Sequence, residues 1–264
     1  MAEKIPRVLT VAGSDSGGGA GIQADLKTFT ALGVYGLSVL TSVTAQNTLE
    51  VSAIHDLPEQ LVGLQFDAVM SDIGCDAAKL GMLSNEKIIE TVAEKIDQYG
   101  IEKLVVDPVM RSKGGTALLR NSTELLKKEI LPRALIATPN IPEAEILSSV
   151  SINDISDMKT AAEKILSFGA KTVLVKGGHL AKEHPAVDLF FDGKTFRELV
   201  SERIDTNNTH GTGCTFSAAV CAFLAKGMSL PASLENSKAF VTEAIRNSLE
   251  IGKGHGPLNH FGKT

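Results

Sequence analysis

Short apolar runs alternate with longer amphipathic stretches along most of the chain. The runs predict buried strands, at 8–12, 35–44, 104–107, 135–138 and 172–176. The amphipathic stretches predict helices, at 59–70, at 84–99 and after Gly21, where Ile22, Leu26, Phe29 and Leu32 recur at spacings of four and three residues. Strands that alternate with helices indicate an α/β fold, with a mostly parallel sheet covered by helices on both faces.

The last third of the chain adds a hairpin signal to this pattern. The apolar segments 187–191 and 195–200 flank the dipeptide Asp192-Gly193, which favours a tight turn between antiparallel strands. We therefore expect a small antiparallel pair at one sheet edge. Helices at 212–226 and 231–250 complete the pattern, and no repeat or low-complexity linker interrupts it. The sequence thus predicts one domain over residues 1–264.

Composition and charge narrow the classes of function. The 264 residues are 43% apolar and 22% charged, as expected for a folded chain with a sizeable core. A net charge of -5 gives no basic surface for nucleic acid. No apolar run approaches the roughly 20 residues that span a bilayer, and the first residues lack the apolar stretch of a signal peptide. With three cysteines that lack zinc-site spacing, we expect a cytoplasmic protein without nucleic-acid or membrane partners.

Polar residues and glycines follow the ends of the predicted strands. In open α/β sheets, ligands bind outside the carboxyl ends of the strands. The sequence therefore predicts a small-molecule site at this edge, formed by Gly13-Ser14-Asp15, Gln46-Asn47, Asp107-Pro108, Asn140 and Lys176-Gly177-Gly178.

The segment Gly211-Thr212-Gly213-Cys214 begins the helix predicted at 212–226. Glycines at a helix start let a phosphate approach free backbone N–H groups at the positive end of the helix dipole, although an ordinary tight turn has the same pattern. The dipole also favours the thiolate of Cys214, which lowers a thiol pKa from its usual value of about 8.5. A buried, inert cysteine is the alternative.

The glycine-rich loop 13–21 lacks the pattern of either common nucleotide motif. Ile22 stands where a dinucleotide fingerprint needs glycine, and no Gly-Lys-Ser/Thr triplet follows as in a P-loop. A nicotinamide oxidoreductase is therefore disfavoured, and the loop is expected to bring backbone close to a small ligand. Asp25, one helical turn later, can point its carboxylate at that ligand or only complement the helix N-terminus.

Two further strand ends carry charged groups. Asn140 and Glu143 stand three residues apart at a strand-to-helix junction, which is also the spacing of a helix-capping box. Lys176 ends a buried strand, where its ammonium can face either the site or solvent. The pairs His179/His184 and His255/His260 lack zinc-ligand spacing, so no transition metal is expected.

Together the motifs resemble the ribokinase superfamily, and within it the hydroxymethylpyrimidine/phosphomethylpyrimidine kinases of thiamine biosynthesis. The resemblance spans nearly the whole chain. It rests on eight ordered segments, at 12–28, 44–48, 79–82, 107–110, 138–145, 175–179, 210–214 and 254–258. It implies a three-layer α/β/α sandwich, ATP and Mg²⁺ as cofactors, a homodimer, and successive phosphorylation of the pyrimidine alcohol and its monophosphate.

The resemblance also implies roles for individual residues. On the substrate side, Gln46 would hydrogen-bond the pyrimidine, Asp25 would lie near its polar groups, and Ala20 and Met82 would pack on the ring. On the nucleotide side, Lys176 would bind phosphates, while Asn140 and Glu143, assisted by Asp107, would organise phosphate and Mg²⁺. The backbone of Gly211, Thr212 and Gly213 would form an anion hole, and Cys214 occupies the position of the aspartate base in ribokinase-like relatives.

Two alternatives remain open at this point. A pyridoxine or pyridoxal kinase shares the superfamily, although Gln46-Asn47 favours the pyrimidine. A non-catalytic ligand-binding protein on the same scaffold is disfavoured because Lys176, Glu143 and Cys214 are all present.

Overall fold

The structure, a computed structural model, describes residues 5–112, 114–119, 122–178 and 185–261. Its strands are β1 Arg7–Asp15, β2 Tyr35–Gln46, β3 Val51–Asp56, β4 Ala77–Leu80, β5 Leu104–Val106, β6 Ile136–Ala137, β7 Val173–Lys176, β8 Ala186–Phe191 and β9 Phe196–Ser201. Its helices are α1 Gly21–Ala31, α2 Glu59–Asp72, α3 Glu86–Tyr99, α4 Thr123–Leu125, α5 Ile141–Ser148, α6 Ile155–Leu166, α7 Thr212–Ala225 and α8 Leu230–Arg246. After α4 the chain continues through a π-helical turn, Leu126–Ile130, and a 3-10 turn, Leu131–Arg133.

These strands form one sheet in the order β3-β2-β1-β4-β5-β6-β7-β8-β9. The pairs from β2 through β7 are parallel, whereas β3 pairs antiparallel with β2, and β8 and β9 extend the other end antiparallel. The predicted α/β class and mostly parallel sheet are confirmed. The predicted hairpin forms β8 and β9, but a second antiparallel edge, β3, was not expected because its run carries exposed polar residues.

Apolar clusters cover both faces of the sheet. Along β5, Leu104 and Val106 join the cluster that includes Phe66 and Ile89 of α2 and α3, while Val105 joins the one that includes Phe216 of α7. Successive strand residues point to opposite faces, so a strand covered on both sides must be apolar throughout. This explains the continuous apolar runs of the sequence and gives the predicted three layers.

The same packing places the loops after the parallel strands at one edge of the sheet. β1, β2, β4, β5, β6 and β7 all end there, and α1, α5 and α7 begin there. No helix in the described part of the chain has both the length and the apolar character to cross a membrane.

Candidate active site

A cavity of about 1010 Å³ opens at this edge of the sheet. Its wall contains eleven of the residues predicted for the site, namely Ala20, Gln46, Met82, Asp107, Asn140, Glu143, Lys176, Gly211, Thr212, Gly213 and Cys214. The residues predicted for a ligand site outside the strand ends therefore lie together on one cavity wall, and Asp25 is the exception described below.

Asp15, at the end of β1, organises the glycine-rich loop. Its Oδ1 accepts a hydrogen bond from the Gly17 amide at 2.8 Å, and its Oδ2 accepts from Gly19 at 3.1 Å and Ala20 at 2.8 Å. His210 Nε2 lies 2.8 Å from the same Oδ2. Burial alone raises the pKa of Asp15, but the hydrogen bond from His210 and those from the loop amides outweigh it and hold the pKa below its usual value.

The ionised Asp15 fixes the proton of His210 and leaves the amide group of Gln46 available. A carboxylate only accepts hydrogen bonds, so His210 Nε2 carries the proton and donates to Asp15. Gln46 Nε2, 3.4 Å from that nitrogen, then has no acceptor there. Thr44 has one hydroxyl proton, and its oxygen lies 2.8 Å from Ser14 O against 3.2 Å from Gln46 Oε1. Both ends of the Gln46 amide can therefore pair with a ligand.

Neither Asp15 nor His210 was assigned a role from the sequence. The available signal for Asp15 was an aspartate directly before a glycine run, where its side chain commonly binds backbone amides two residues on. His210 gave no such signal, because it contacts Asp15 across 195 residues of sequence.

Asp25 lies behind the cavity wall and not on it. Its carboxylate is fully buried, with Lys79 Nζ at 2.8 and 2.7 Å from its two oxygens and the Thr10 hydroxyl at 2.6 Å. Burial lowers the pKa of Lys79, but the adjacent Asp25 carboxylate outweighs it and raises the pKa. The predicted position of Asp25 beside the substrate's polar groups therefore differs from its observed position, because the carboxylate neutralises a buried lysine.

Lys176 and Asp107 lie together beneath the glycine turn. Lys176 Nζ is 2.7 Å from Asp107 Oδ1 and 3.0 Å from the point where a Cβ on Gly213 would stand. Burial lowers the pKa of Lys176, but the carboxylates of Asp107 and Glu143 outweigh it and raise the pKa, so the ammonium stays charged. Because an ammonium has three N–H donors, two remain for an anion after the bond to Asp107.

Asn140 and Glu143 form the capping box that their spacing allowed. Asn140 Oδ1 accepts from the Glu143 amide and Glu143 Oε2 accepts from the Asn140 amide, each at 2.9 Å. Burial raises the pKa of Glu143 to about 7, against the lowering effect of Lys176, and Asp107 adds to the rise. The same two residues thus start α5 and present side chains to the cavity.

The turn at 211–214 brings helix N-terminal amides to the cavity. Gly211 has φ +84°, and a Cβ there would overlap the carbonyl oxygen of Gly19. Glycine is therefore required for the close approach of this turn to the β1–α1 loop. The first amides of α7 have no partner within the helix, which suits them to hold an anion above Lys176.

The pKa of Cys214 shifts in the opposite direction to the one expected from the sequence. Burial raises the pKa of its thiol to about 11, and Asp25 and Asp107 add to the rise, whereas Lys79 and a hydrogen bond from the Gly21 amide oppose it. The expected stabilisation of the thiolate by the helix dipole is smaller than this cost of burying a charge. Cys214 is therefore a thiol at neutral pH.

This shift predicts slow alkylation of Cys214. Only the thiolate reacts with iodoacetamide, so the rate at Cys214 should rise about tenfold per pH unit between pH 7.5 and 10. Mass spectrometry of the labelled protein measures the rate, and Cys214→Ala identifies the site. A rate that is fast at pH 7.5 and level above it would show instead that the dipole dominates.

The candidate metal ligands of this cavity are two carboxylates, those of Asp107 and Glu143. Within the described residues, no three His, Cys, Asp or Glu side chains converge as metal ligands. Mg²⁺, however, usually keeps several waters and binds one or two protein carboxylates together with substrate phosphates. Asp107 and Glu143 fit that pattern, while His179 and His184 lie outside the described residues.

Residues of α7 and α8 also line the cavity. They include Phe216, Val241 and Ile245, together with the polar Lys238 and Thr242. A cavity of about 1010 Å³ has room for two small ligands that meet at the glycine turn.

The comparisons with known proteins agree with this geometry. The model of the phosphomethylpyrimidine kinase family matches residues 15–259. A hydroxymethylpyrimidine/phosphomethylpyrimidine kinase of Bacillus subtilis is 51% identical over 258 residues, which cover 97% of this chain and 95% of that protein.

Two solved structures are similar throughout. The pyridoxal kinase of Staphylococcus aureus in complex with AMP-PCP and pyridoxal has a TM-score of 0.91 at 39% identity, covering 98% of this chain and 94% of that one. The phosphomethylpyrimidine kinase of Clostridium difficile has a TM-score of 0.81 at 46% identity, covering 92% of this chain and all of that one. The family that the eight sequence motifs predicted is thus confirmed, and the chain belongs to the phosphomethylpyrimidine kinase family.

Proposed function

We propose that this protein transfers the γ-phosphoryl group of ATP to the alcohol of 4-amino-5-hydroxymethyl-2-methylpyrimidine, and then phosphorylates the monophosphate to the diphosphate. The observation that carries the proposal is one cavity lined both by Gln46 and by the 211–214 turn, which has Lys176 Nζ beneath it. These are the two features that a kinase of a small polar heterocycle needs.

The part of the cavity around Lys176 and the 211–214 turn supports group transfer by positioning the phosphate and stabilising its charge. Phosphoryl transfer asks little covalent chemistry of the protein, so the gain comes from donors aimed at the charge of the transferring group. The amides at the start of α7 and two N–H groups of Lys176 are such donors. The alcohol oxygen forms the new bond to phosphorus as the bond from phosphorus to the β-phosphate oxygen of ATP breaks.

Cys214 contributes to this site as a thiol. Its raised pKa disfavours a standing thiolate base, so in a largely dissociative transfer the alcohol keeps its proton until the new O–P bond forms and then passes it to an oxygen of the transferred phosphoryl group. The thiol can then accept a hydrogen bond from the alcohol or line the anion hole, which keeps the position assigned to it in the family while changing its chemical role.

Mg²⁺ would be held by Asp107 and Glu143, in part through water, with the nucleotide phosphates as its other ligands. When bound, it neutralises phosphate charge. Glu143 and Asn140 also fix the start of α5, so the carboxylate is held in place by the helix it caps.

Gln46 supports the choice of a pyrimidine. An amide side chain offers one acceptor and two donors, which pair with an aminopyrimidine edge that carries a ring nitrogen acceptor beside an exocyclic N–H donor. Met82 and Ala20, which also line the cavity, would pack against the ring. Asp25 would act indirectly, by holding Lys79 in the cavity wall.

A substrate comparison tests the proposal against a pyridoxal kinase, which the structural similarity keeps as the second candidate. We expect Mg²⁺-dependent ADP release with the pyrimidine, at a kcat/KM above that for pyridoxal. Gln46→Leu should weaken pyrimidine binding by about 1–3 kcal/mol, because it leaves polar groups of the ligand unpaired. Gln60→Leu, on the exposed start of α2, is the control.

Three outcomes would contradict the proposal. A higher kcat/KM for pyridoxal would favour the second candidate. Binding of the pyrimidine without ADP release would indicate a ligand-binding protein. Equal pyrimidine affinity in Gln46→Leu would remove Gln46 from the binding site.

The homodimer and the cytoplasmic location are further parts of the proposal. The homodimer rests on the family resemblance, and light scattering of the purified protein tests it. The cytoplasmic location rests on the three cysteines and the lack of a long apolar stretch in the sequence.

A further inference from the structure

Residues 252–260, here called the strap, cross from the end of the chain to the substrate side of the cavity. At the β2–β3 corner, the Gly254 amide donates to Thr48 Oγ1 at 3.2 Å and the His255 amide donates to Thr48 O at 2.9 Å. Thr48 lies two residues after Gln46, so this contact fixes the corner that carries Gln46, the residue proposed to bind the pyrimidine.

The next residues of the strap hold the segment before α7. The Gly256 amide donates to Asn208 Oδ1, and the His210 amide donates to Gly256 O, both at 3.1 Å. Pro257 forms a parallel bridge with His210, directly before the turn at 211–214. Three consecutive residues, 254–256, therefore bind both the β2–β3 corner and the segment directly before the 211–214 turn.

The end of the strap is anchored in the core. Leu258 is 1% exposed, and His260 Nε2 lies 2.9 Å from Thr215 Oγ1 in the first turns of α7. The Asn259 amide donates to Ala244 O of α8 at 3.1 Å. The end of the strap is thus held by α7 and α8, the two helices that also line the cavity.

Three glycines of the strap have no room for a side chain. A Cβ on Gly252 would overlap the side chain of Thr48, a Cβ on Gly254 would overlap the carbonyl oxygen of Thr48, and a Cβ on Gly256 would overlap Asn208 Oδ1 and come 2.7 Å from Leu249 O. Thr48 O and Leu249 O are backbone atoms, which cannot move aside as side chains can, so a methyl group at Gly254 or Gly256 must shift the strap or its neighbour.

We infer that the strap is a positioning element that sets the Gln46 corner and the 211–214 turn at the separation at which a bound alcohol meets the transferred phosphate. This inference rests on the proposed function. Its basis is that the strap bonds directly to Thr48 and to the segment before the turn. In the described chain these two segments otherwise meet through His210 and Gln46 at 3.4 Å and through the β1–α1 loop, where Ser16 bonds Gln46 and Asp15 bonds His210. Displacement of a reacting group by about 1 Å can cost 10²-fold in rate.

Two substitutions test the two contacts of the strap separately. Gly254→Ala should raise the KM for the pyrimidine about tenfold or more with kcat nearly retained, because it moves the Gln46 corner. Gly256→Ala should lower kcat about tenfold or more with a smaller change in KM, because it moves the turn. Lys253→Ala, exposed in the same strap, should leave both constants and the melting temperature unchanged.

A third variant covers the case in which an added methyl group prevents folding. Asn208→Ala removes the acceptor for the Gly256 amide without adding atoms, and it should lower kcat in the same direction. Wild-type values of kcat and KM in folded Gly254→Ala, Gly256→Ala and Asn208→Ala would overturn the inference. So would a uniform loss of active protein with unchanged constants in the folded fraction, since that is the result of a purely structural role.

Hydrogen exchange provides a readout that does not depend on turnover. If the strap and the substrate site are coupled, binding of the pyrimidine should slow exchange of amides in 252–260, and the coupling is reciprocal. Unchanged exchange on saturation with the pyrimidine would contradict the inference. A wild-type protein that releases no ADP would overturn the proposed function and this inference with it, whereas an active wild type with unaffected variants would overturn this inference alone.

Discussion

Lys176→Met is expected to lower kcat by about 10²–10³-fold, the usual loss when one donor to a developing anionic charge is removed. The reason is that Lys176 places its ammonium beneath Gly213, where two of its N–H groups remain for the transferred phosphate. The variant also leaves the Asp107 carboxylate without the ammonium it pairs with, so an unpaired negative charge stands where phosphate must bind. Steady-state kinetics with the pyrimidine and ATP measures the effect.

The stability cost of this change needs a matched control. Breaking a buried ion pair commonly costs 3–5 kcal/mol, which by itself can reduce the folded fraction. Lys95→Met provides the control for the lysine side chain, because Lys95 pairs with Asp67 at 2.6 Å on α2 and α3, away from the cavity, and is 17% exposed against 13% for Lys176. Its partner Asp67 is 40% exposed against 2% for Asp107, so the control should lose less stability. We expect Lys95→Met to lower the melting temperature without lowering kcat. Retained turnover in folded Lys176→Met would contradict the assigned role of the ammonium.

Gly211→Ala is expected to lower kcat by about 10²-fold by moving the amides of the phosphate turn. A methyl group at Gly211 overlaps the carbonyl oxygen of Gly19, so the turn must retreat from the β1–α1 loop. The positive φ of +84° adds strain for any residue with a side chain. The variant should keep its fold and lose transfer more than pyrimidine affinity.

Gly227→Ala is the control that separates the effect of backbone strain from the effect of moving the phosphate turn. Gly227 has the same φ of +84° at the far end of α7, but a Cβ there meets nothing within 4 Å. It should therefore show a stability loss of about 1 kcal/mol and normal kcat. If Gly211→Ala and Gly227→Ala have the same kcat, the close approach of the turn to Gly19 does not matter for transfer.

Much of the fold followed from the sequence because its strands are apolar on both faces. A strand such as β5, covered on each side by helices, has to be a continuous apolar run, and such runs are visible without a structure. β3 was not predicted, for the opposite reason. It lies at the edge of the sheet with most of its residues exposed or half-buried, so its side chains need not be apolar.

The candidate site was predicted to the extent that local sequence places residues at strand ends. Gln46, Asp107, Asn140 and Lys176 stand at or just beyond the ends of β2, β5, β6 and β7, and all of them line the cavity. The Asn140–Glu143 capping box is local and its spacing was visible in the sequence, whereas the other partners come from distant positions and could not be predicted. Lys176 bonds Asp107 across 69 residues, and Lys79 neutralises Asp25 across 54.

Burial also determines two properties that residue spacing alone does not predict, the pKa of Cys214 and the position of Asp25. A cysteine in the first turn of a helix suggests a lowered pKa, yet the surroundings of Cys214 remove water and add two carboxylates, which reverses the direction. Asp25 has the spacing of a residue that faces a ligand, yet a lysine within an apolar strand, Lys79, needs its charge. A lysine in a buried strand was the signal that could have pointed to this pair.

The central claim is that a transferable phosphate binds at the 211–214 turn, facing the alcohol of a pyrimidine bound at Gln46. A crystal structure with hydroxymethylpyrimidine and a non-hydrolysable ATP analogue tests it most directly. We predict the terminal phosphate within hydrogen-bond distance of the turn amides and Lys176 Nζ, with the hydroxymethyl oxygen pointing at its phosphorus. A nucleotide bound elsewhere, or a pyrimidine whose alcohol points away from the turn, would contradict the account.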